Sequence, residues 1–385
     1  MASTKAAKHN GLCGLDWIRR KTWPTAPHSR APKLTLVDLF CGCGGLSLGA
    51  WEAARVNGRR LDIRLAVDTC GEAIAVYRHN FGVLERVARN VDVRELFPGK
   101  PGDRLRAAEK RARESVARLD VLVAGPPCQG HSDLNNHTRR NDPRNGLYLS
   151  VVRAAEVLRP KVVLVENVGA VIHDRSKVVH RADQLLKGLG YRVRTRMVRA
   201  LALALPQRRK RHILLAIRDT DLDPESCFPQ ESDTEVPVSR YIADLENEPD
   251  RRTGLFYTPS RMTEDNLRRV KFLFDRNMYD LPNRQRPDCH RNGHSYKSMY
   301  GRLHWNKPAQ TITTGFGSMG QGRFVHPRKP RMITPHEAGR VQGLPDFLDF
   351  SVATKRATLQ ALIGNAVPPR MPALVLQSIL NKGLL

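Results

Sequence analysis

A thiol, a carboxylate and a run of basic residues carry the chemistry that can be read from this chain. Cys128 stands in Gly125-Pro126-Pro127-Cys128-Gln129-Gly130, directly after the apolar run Val121–Ala124. Two prolines at a strand-to-loop junction would hold the thiol rigidly at the edge of a sheet, where its thiolate can act as a nucleophile. Most cysteines are inert core residues, but Gly-Pro-Pro before and Gln-Gly after are unsuited to core packing. Glu166-Asn167-Val168 closes a second apolar run, Val162–Val165. Burial at a strand end favours the neutral carboxyl and so suits a proton donor, with an ion pair to an arginine as the alternative. Gln207-Arg208-Arg209-Lys210-Arg211 leads into Ile213–Ile217. Strand alternation would put Gln207, Arg209 and Arg211 on one face. Such a run is often a solvated face, but one that enters a buried strand belongs to the interior of the site.

A fourth constellation has the character of a nucleoside site. Leu34–Phe40 reads as a buried strand and runs into Cys41-Gly42-Cys43-Gly44-Gly45, after which Leu46–Val56 is amphipathic. Glycines at such a turn let backbone amides approach a ligand at a helix N-terminus. Asp68, at the end of the next strand, is placed to bind ribose hydroxyls.

These residues need a scaffold that brings strand ends together. Strand-like runs recur at Ile63–Val67, Val121–Ala124, Val162–Val165 and Ile213–Ile217, with helical patterns near 70–80, 104–118, 147–158 and 179–188 between them. That alternation predicts an α/β fold, a Rossmann-like, doubly wound parallel sheet with ligands at the carboxyl ends of its strands. Four regions follow: a flexible basic arm over 1–32, a catalytic and cofactor-binding domain over 33–219, a smaller irregular domain over 220–325, and a closing segment over 326–385. The irregular region is basic, with thirteen Lys or Arg against five Asp or Glu between 251 and 310.

Composition narrows the partners. Lys and Arg number 64 against 38 Asp and Glu, a net charge of +26. Such a surplus favours a polyanion, because cationic surface releases phosphate-bound counterions. The seven cysteines are scattered and form no CxxC pair, which suits a reducing compartment. Cys289-His290 with His294 lacks a second ligand pair at finger-like spacing, so no metal is expected. No apolar stretch approaches the roughly 18 residues of a membrane span, and no signal-peptide core opens the chain. A cytoplasmic address is expected.

Together the motifs resemble the DNA cytosine-5 methyltransferase family, of the bacterial modification type. The landmarks follow in family order: Asp38–Gly45, Asp68, Asn90-Val91-Asp92, Gly125–Gly130, Asp142-Pro143-Arg144 to Leu147, Glu166–Val168, Gln207–Arg211, Pro335–Asp346 and Gly364–Pro369. The resemblance spans roughly residues 34 to 380 and implies a cofactor, S-adenosyl-L-methionine, lying over Gly42, Gly44 and Gly45. Phe40 would stack on its adenine, Asp68 hold the ribose, and Asp92 bind the adenine amino group. Leu147 and Asn365 would complete the pocket. Thr69 departs from the pattern, since many members carry a tryptophan there.

The resemblance also implies the reaction. Cys128 would attack carbon 6 of cytosine so that carbon 5 becomes nucleophilic, and Glu166 would protonate N3. Arg211 would hold O2 and orient Glu166, with Arg209 in support. The substrate would be double-stranded DNA with its target base flipped out. Gln129, Ser132 and Arg144 would hold the opened strand, and Thr311 and Thr313 would touch phosphates. Residues 220–325 would recognise the sequence. A monomer, with or without a cognate restriction endonuclease as a genetic partner, fits this type.

Two rivals share these motifs. A tRNA cytosine-5 methyltransferase would carry a Cys-Phe-Thr signature, whereas Pro229 follows Cys227-Phe228 here. A catalytically silent DNA-binding paralogue would lose the cysteine or the glutamate, and both are present.

Overall fold

Alternate residues of the same strands face two different cores. Leu34, Leu36, Val121, Val123, Val162, Leu164, Ile213 and Leu215 enter one. Val37, Leu39, Leu122, Ala124, Val163, Val165, Leu214 and Ala216 enter the other. Strands buried on both faces read as continuous apolar runs, which is why they stand out in the sequence.

The computed structural model describes residues 12–127, 146–230, 234–246, 253–291 and 298–385. Cys128, Gln129, Ser132 and Arg144 therefore lie outside the described residues. The sheet contains β1 (Lys33–Leu39), β2 (Arg60–Asp68), β3 (Ala88–Asn90), β4 (Val121–Ala124), β5 (Val162–Val168), β6 (Tyr191–Arg199) and β7 (Lys210–Arg218). Their order is β3-β2-β1-β4-β5-β7-β6. One helix layer comprises α2 (Gly45–Val56), part of α3 (Gly71–Phe81) and the last helix; the other comprises α5 (Ala107–Val116), α6 (Leu147–Leu158) and α7 (Val178–Gly188). Two short helices, α1 (Leu15–Ile18) and α4 (Val93–Leu96), complete this part.

The expected doubly wound sheet is present with one departure from all-parallel pairing. Strand β7 runs antiparallel to both β5 and β6. Only residues 200–209 separate β6 from β7, too few for a crossover helix that would return the chain in the same direction. Strand β6 itself escapes sequence detection because it is an edge strand with arginines on its open face. Arg192, Arg194 and Arg196 pair with Asp221 at 2.8 Å, Asp223 at 3.0 Å and Glu225 at 3.7 Å. The chain leaving β7 is thereby pinned along the edge, which blunts its pairing with other strands.

The N-terminal region requires a correction. Residues 1–32 read as a flexible arm, but residues 12–24 pack against the fold, whereas 25–33 run mostly exposed along the surface. Leu12, Cys13, Trp17 and Ile18 are buried. Trp17 meets Phe347 edge-on at 5.1 Å, and Trp23 meets Trp51 at 5.0 Å. The apolar residues are too few for a helical period, yet two tryptophans bury enough area to anchor a segment without one.

Beyond residue 220, α8 (Glu264–Asp275) and the two-stranded pair β8 (Gly301–Arg302) and β9 (Arg323–Val325) are set among loops. Phe228, Tyr241, Leu273, Phe316 and Phe324 enter the same core as Leu34 and Leu164. The chain then returns through α9 (Pro335–Gln342), α10 (Arg356–Asn365) and α11 (Arg370–Asn381). The start of α9 is fixed by a capping box between Thr334 and Glu337, with Pro335 at the first helical position.

Candidate active site

Sheet register gathers the candidate residues along one edge. Leu39 pairs with Val67 and with Ala124, and Ala124 pairs with Val165. The residues one step further along these parallel strands are Phe40, Asp68, Gly125 and Glu166, so all four lie at the carboxyl ends. Strand order reverses between β1 and β4, the position at which open α/β sheets form a crevice.

The turn after β1 is built by backbone conformations that few residues accept. Phe40 has φ +61°, a left-handed conformation costly for a bulky side chain. Its ring stays half-exposed at the sheet edge. Gly44 is the N-cap of α2 with φ +88°, and a Cβ there would strike the Phe81 ring at 2.4 Å. Gly45 has a packing reason of its own, since its Cβ would lie 2.3 Å from the Val367 carbonyl oxygen. The Gly42 amide donates to Asp68 Oδ2 and the Cys70 amide to Asp68 Oδ1, both at 2.9 Å. These two bonds aim the Asp68 carboxylate toward the turn. Burial raises its pKa against the pull of those amides.

Asp92 caps α4 and is engaged by Arg94, whose Nη2 lies 2.6 Å from Oδ2. That hydrogen bond holds its carboxyl below the usual range. Leu147, the first residue of α6, is buried, whereas Asn365, the last of α10, is exposed.

Below the turn lies a polar chain that sequence reading did not single out. Asp38 is fully buried and accepts from Ser47 Oγ at 2.6 Å, and Ser47 Oγ meets Tyr77 Oη at 2.7 Å. Burial pushes the Asp38 carboxyl up to about 7, with the nearby Asp68 charge adding to the rise. A folded-state pKa above the unfolded one stabilises at low pH, and the contribution is lost as pH rises through about 7. We therefore expect wild type to lose about 2–3 kcal/mol relative to Asp38→Asn between pH 5 and pH 8. Urea unfolding at the two pH values measures this; a difference that does not change with pH would contradict it.

The second half of the edge holds the carboxylate. Glu166 is 7% exposed. On β5 and β7, Glu166 faces Ile213 while Val168 faces Arg211, so Glu166 and Arg211 are diagonal neighbours on one sheet face. Arg211 Nε approaches Glu166 Oε1 at 2.9 Å. The next residue, Asn167, points to the opposite face and donates through Nδ2 to the Pro126 carbonyl at 3.4 Å. Its side chain thus tethers the segment leading to Cys128, a role the sequence gives no signal for.

Arg209 is placed differently from the supporting position expected beside Arg211. It is 3% exposed and donates from Nη1 to the carbonyls of Ile312, at 3.2 Å, and Gly364, at 3.1 Å. Thr311 and Thr313 flank buried Ile312 and are half-buried. Of the Cys-His motif, Cys289 is exposed and His290 Nδ1 lies 2.8 Å from Tyr300 Oη. Among the described residues no helix is long and apolar enough to cross a membrane.

The edge thus offers a glycine turn with an acidic partner, a carboxylate–guanidinium pair, and a backbone carbonyl held by Asn167. Comparison with known proteins agrees with this arrangement. The family described as C-5 cytosine-specific DNA methylase matches residues 34–381. The Type II methyltransferase M1.BsuMI of Bacillus subtilis (strain 168) is 43% identical over 362 residues, covering 94% of this chain and 83% of the relative. The Type II methylase M.HgiDII of Herpetosiphon aurantiacus is 28% identical, covering 89% and 94%. Among solved structures, the S. pombe Dnmt2 methyltransferase superposes with a TM-score of 0.62 at 16% identity, covering 91% of this chain and 99% of its own. At that identity the likeness concerns the fold.

Proposed function

The chain belongs to the family of C-5 cytosine-specific DNA methylases, and we propose that it takes its methyl group from S-adenosylmethionine and works through a covalent bond between Cys128 and cytosine. It is a DNA cytosine-5 methyltransferase of the Type II modification kind. The observation that carries the mechanistic reading is the Glu166–Arg211 pair, 2.9 Å apart near the carboxyl end of β5.

The glycine turn suits the cofactor. A Cβ on Gly42 would meet nothing within 4 Å, so a ligand has room against the backbone. Phe40 offers a ring face, Asp68 an oriented carboxylate, and Asn365 an exposed amide. Asp92 and Leu147 close the pocket in this reading, with Gly44 and Gly45 forming its floor. When bound, S-adenosylmethionine supplies a methyl group on a sulfonium, a strong electrophile.

The protein's task is to make carbon 5 of cytosine a nucleophile. Cys128 thiolate adds to carbon 6, and the ring becomes an enamine whose carbon 5 would be nucleophilic toward the methyl that the bound cofactor would supply. Glu166 delivers a proton to N3, which relieves the negative charge that addition creates. Arg211 holds O2 and orients Glu166. The Pro126 carbonyl, tethered by Asn167, accepts from the exocyclic amine. Loss of the carbon 5 proton to water then expels the thiolate, and N3 returns its proton to Glu166. The base must leave the duplex to reach these groups, with Gln129, Ser132 and Arg144 holding the opened strand.

Residues 33–219 with 326–385 carry the chemistry in this reading, and 220–325 read a specific sequence in double-stranded DNA. Thr311 and Thr313 touch its backbone. A monomer fits this reading, as the family resemblance implies. The Type II names of the relatives support a genetic link to a restriction endonuclease.

Tritiated S-adenosylmethionine incubated with unmethylated duplex DNA or with tRNA tests the reading. Label is expected in DNA as 5-methylcytosine. Label in tRNA alone would establish the RNA-modifying alternative, and no transfer to either would remove the reading.

A further inference from the structure

A buried polar joint links the segment returning from residues 220–325 to the turn that ends α10. On one side, the Gln207 backbone bridges to Ala309, the Arg208 amide donates to the Ala309 carbonyl at 2.8 Å, and the Ala309 amide donates to Pro206 at 2.7 Å. On the other side, Gln342 of α9 is fully buried and donates to the carbonyls of Ile363 at 2.8 Å and Gly364 at 3.2 Å. Gln207 Nε2 joins the two sides through Gln342 Oε1 at 2.7 Å. Arg209 spans them directly, with Nη1 shared between Ile312 and Gly364.

The two backbones are also in close contact. A Cβ on Gly364 would lie 2.4 Å from the Thr314 nitrogen and 2.5 Å from the Thr313 carbonyl carbon. Beyond Gly364 come Asn365 and then Val367, whose carbonyl oxygen packs against Gly45 at the cofactor turn. A continuous path therefore runs from Thr311 and Thr313, through Ile312, Arg209 and Gly364, to Asn365 and Gly45. At 3% exposure the Arg209 guanidinium has little water to fall back on, so its protein partners hold it firmly.

We propose that Arg209 is a positioning residue that couples DNA binding to cofactor binding, by fixing the 309–314 segment to the 363–367 turn. The proposal rests on the reading that Asn365 borders the cofactor and that Thr311 and Thr313 touch DNA. A rigid joint shared by both sites makes ordering by one ligand reduce what the other must order. Linkage requires that the effect be reciprocal.

The test is the ratio of the Kd of S-adenosylhomocysteine without DNA to that with it, measured by calorimetry. The DNA is a duplex carrying the sequence that the enzyme methylates, as mapped by bisulfite sequencing. Wild type is expected to bind S-adenosylhomocysteine about tenfold tighter with the duplex present. Arg209→Lys keeps the charge, but its ammonium ends one bond short of the place where Nη1 meets both carbonyls, so its ratio should fall to about two or below. A ratio in Arg209→Lys equal to that of wild type would overturn the proposal, as would a wild-type ratio of one. A merely structural role would lower the fraction of active protein without changing the ratio.

Hydrogen exchange on wild type provides a check that needs no variant. S-adenosylhomocysteine alone should slow exchange of amides in 309–315 as well as around 40–45. Protection confined to the cofactor turn would overturn the coupling. Failure of wild type to bind S-adenosylhomocysteine at all would overturn the cofactor reading and the coupling together, whereas binding without coupling would overturn the coupling alone.

Discussion

Cys128→Ser is expected to lower kcat for DNA methylation by roughly 10⁴-fold or more, while duplex DNA is still bound. The magnitude follows from what the thiolate does. Carbon 5 of an aromatic cytosine attacks a methyl sulfonium only after carbon 6 has been attacked, and a serine hydroxyl is hardly ionised near neutral pH. Four of the other six cysteines are poor substitutes, because burial keeps their thiols protonated. Burial pushes the Cys13 and Cys41 thiols well above their ordinary value and the Cys43 thiol up to about 12, so these stay protonated. Burial also raises Cys227. Single-turnover rates with tritiated cofactor measure the effect. A variant retaining more than about a hundredth of the wild-type rate would show that the nucleophile is another residue.

Glu166→Gln is expected to lower the rate by about 10²- to 10⁴-fold, the range for loss of a general acid, with cofactor binding kept. The amide fills the same space on β5 and can still face Arg211, but it cannot deliver a proton to N3. Because Glu166 lies on β5 and the glycine turn follows β1, two strands away, the substitution should leave the S-adenosylhomocysteine Kd within about twofold. Equal losses in rate and in cofactor affinity would mean that the Glu166–Arg211 pair serves to hold the sheet edge together. Together the two substitutions separate chemistry from architecture.

What the sequence made legible was what leaves a one-dimensional trace. Val121–Ala124 and Val162–Val165 are buried on both faces and appear as unbroken apolar runs, so their ends locate Cys128 and Glu166. The glycine turn is equally visible, because Gly44 must adopt φ +88° under the Phe81 ring. Strand β6 was not legible, since an edge strand with arginines at alternate positions looks like a solvated segment. The packing of residues 12–24 leaves no trace in the sequence because it depends on Trp17 and Trp23 reaching Phe347 and Trp51, contacts with no local period. Arg209 and Arg211 share one face in sequence, and both face inward. Their partners come from different places: Arg211 from the neighbouring strand, Arg209 from segments 103 and 155 residues away. Gln342 is one of several polar residues on α9, and nothing in its neighbours announces three carbonyls waiting across the core.

The central claim is a covalent bond between Cys128 and the target base during methyl transfer from S-adenosylmethionine. Duplex DNA with 5-fluorocytosine at the methylated position tests it directly, because fluorine at carbon 5 cannot leave as a proton and the adduct is trapped. Wild-type protein incubated with this DNA and S-adenosylmethionine should gain the mass of one strand plus one methyl group, and peptide mapping should place the bond on Cys128. An adduct on another cysteine, or methylation of ordinary DNA with no adduct on the fluorinated duplex, would contradict the account.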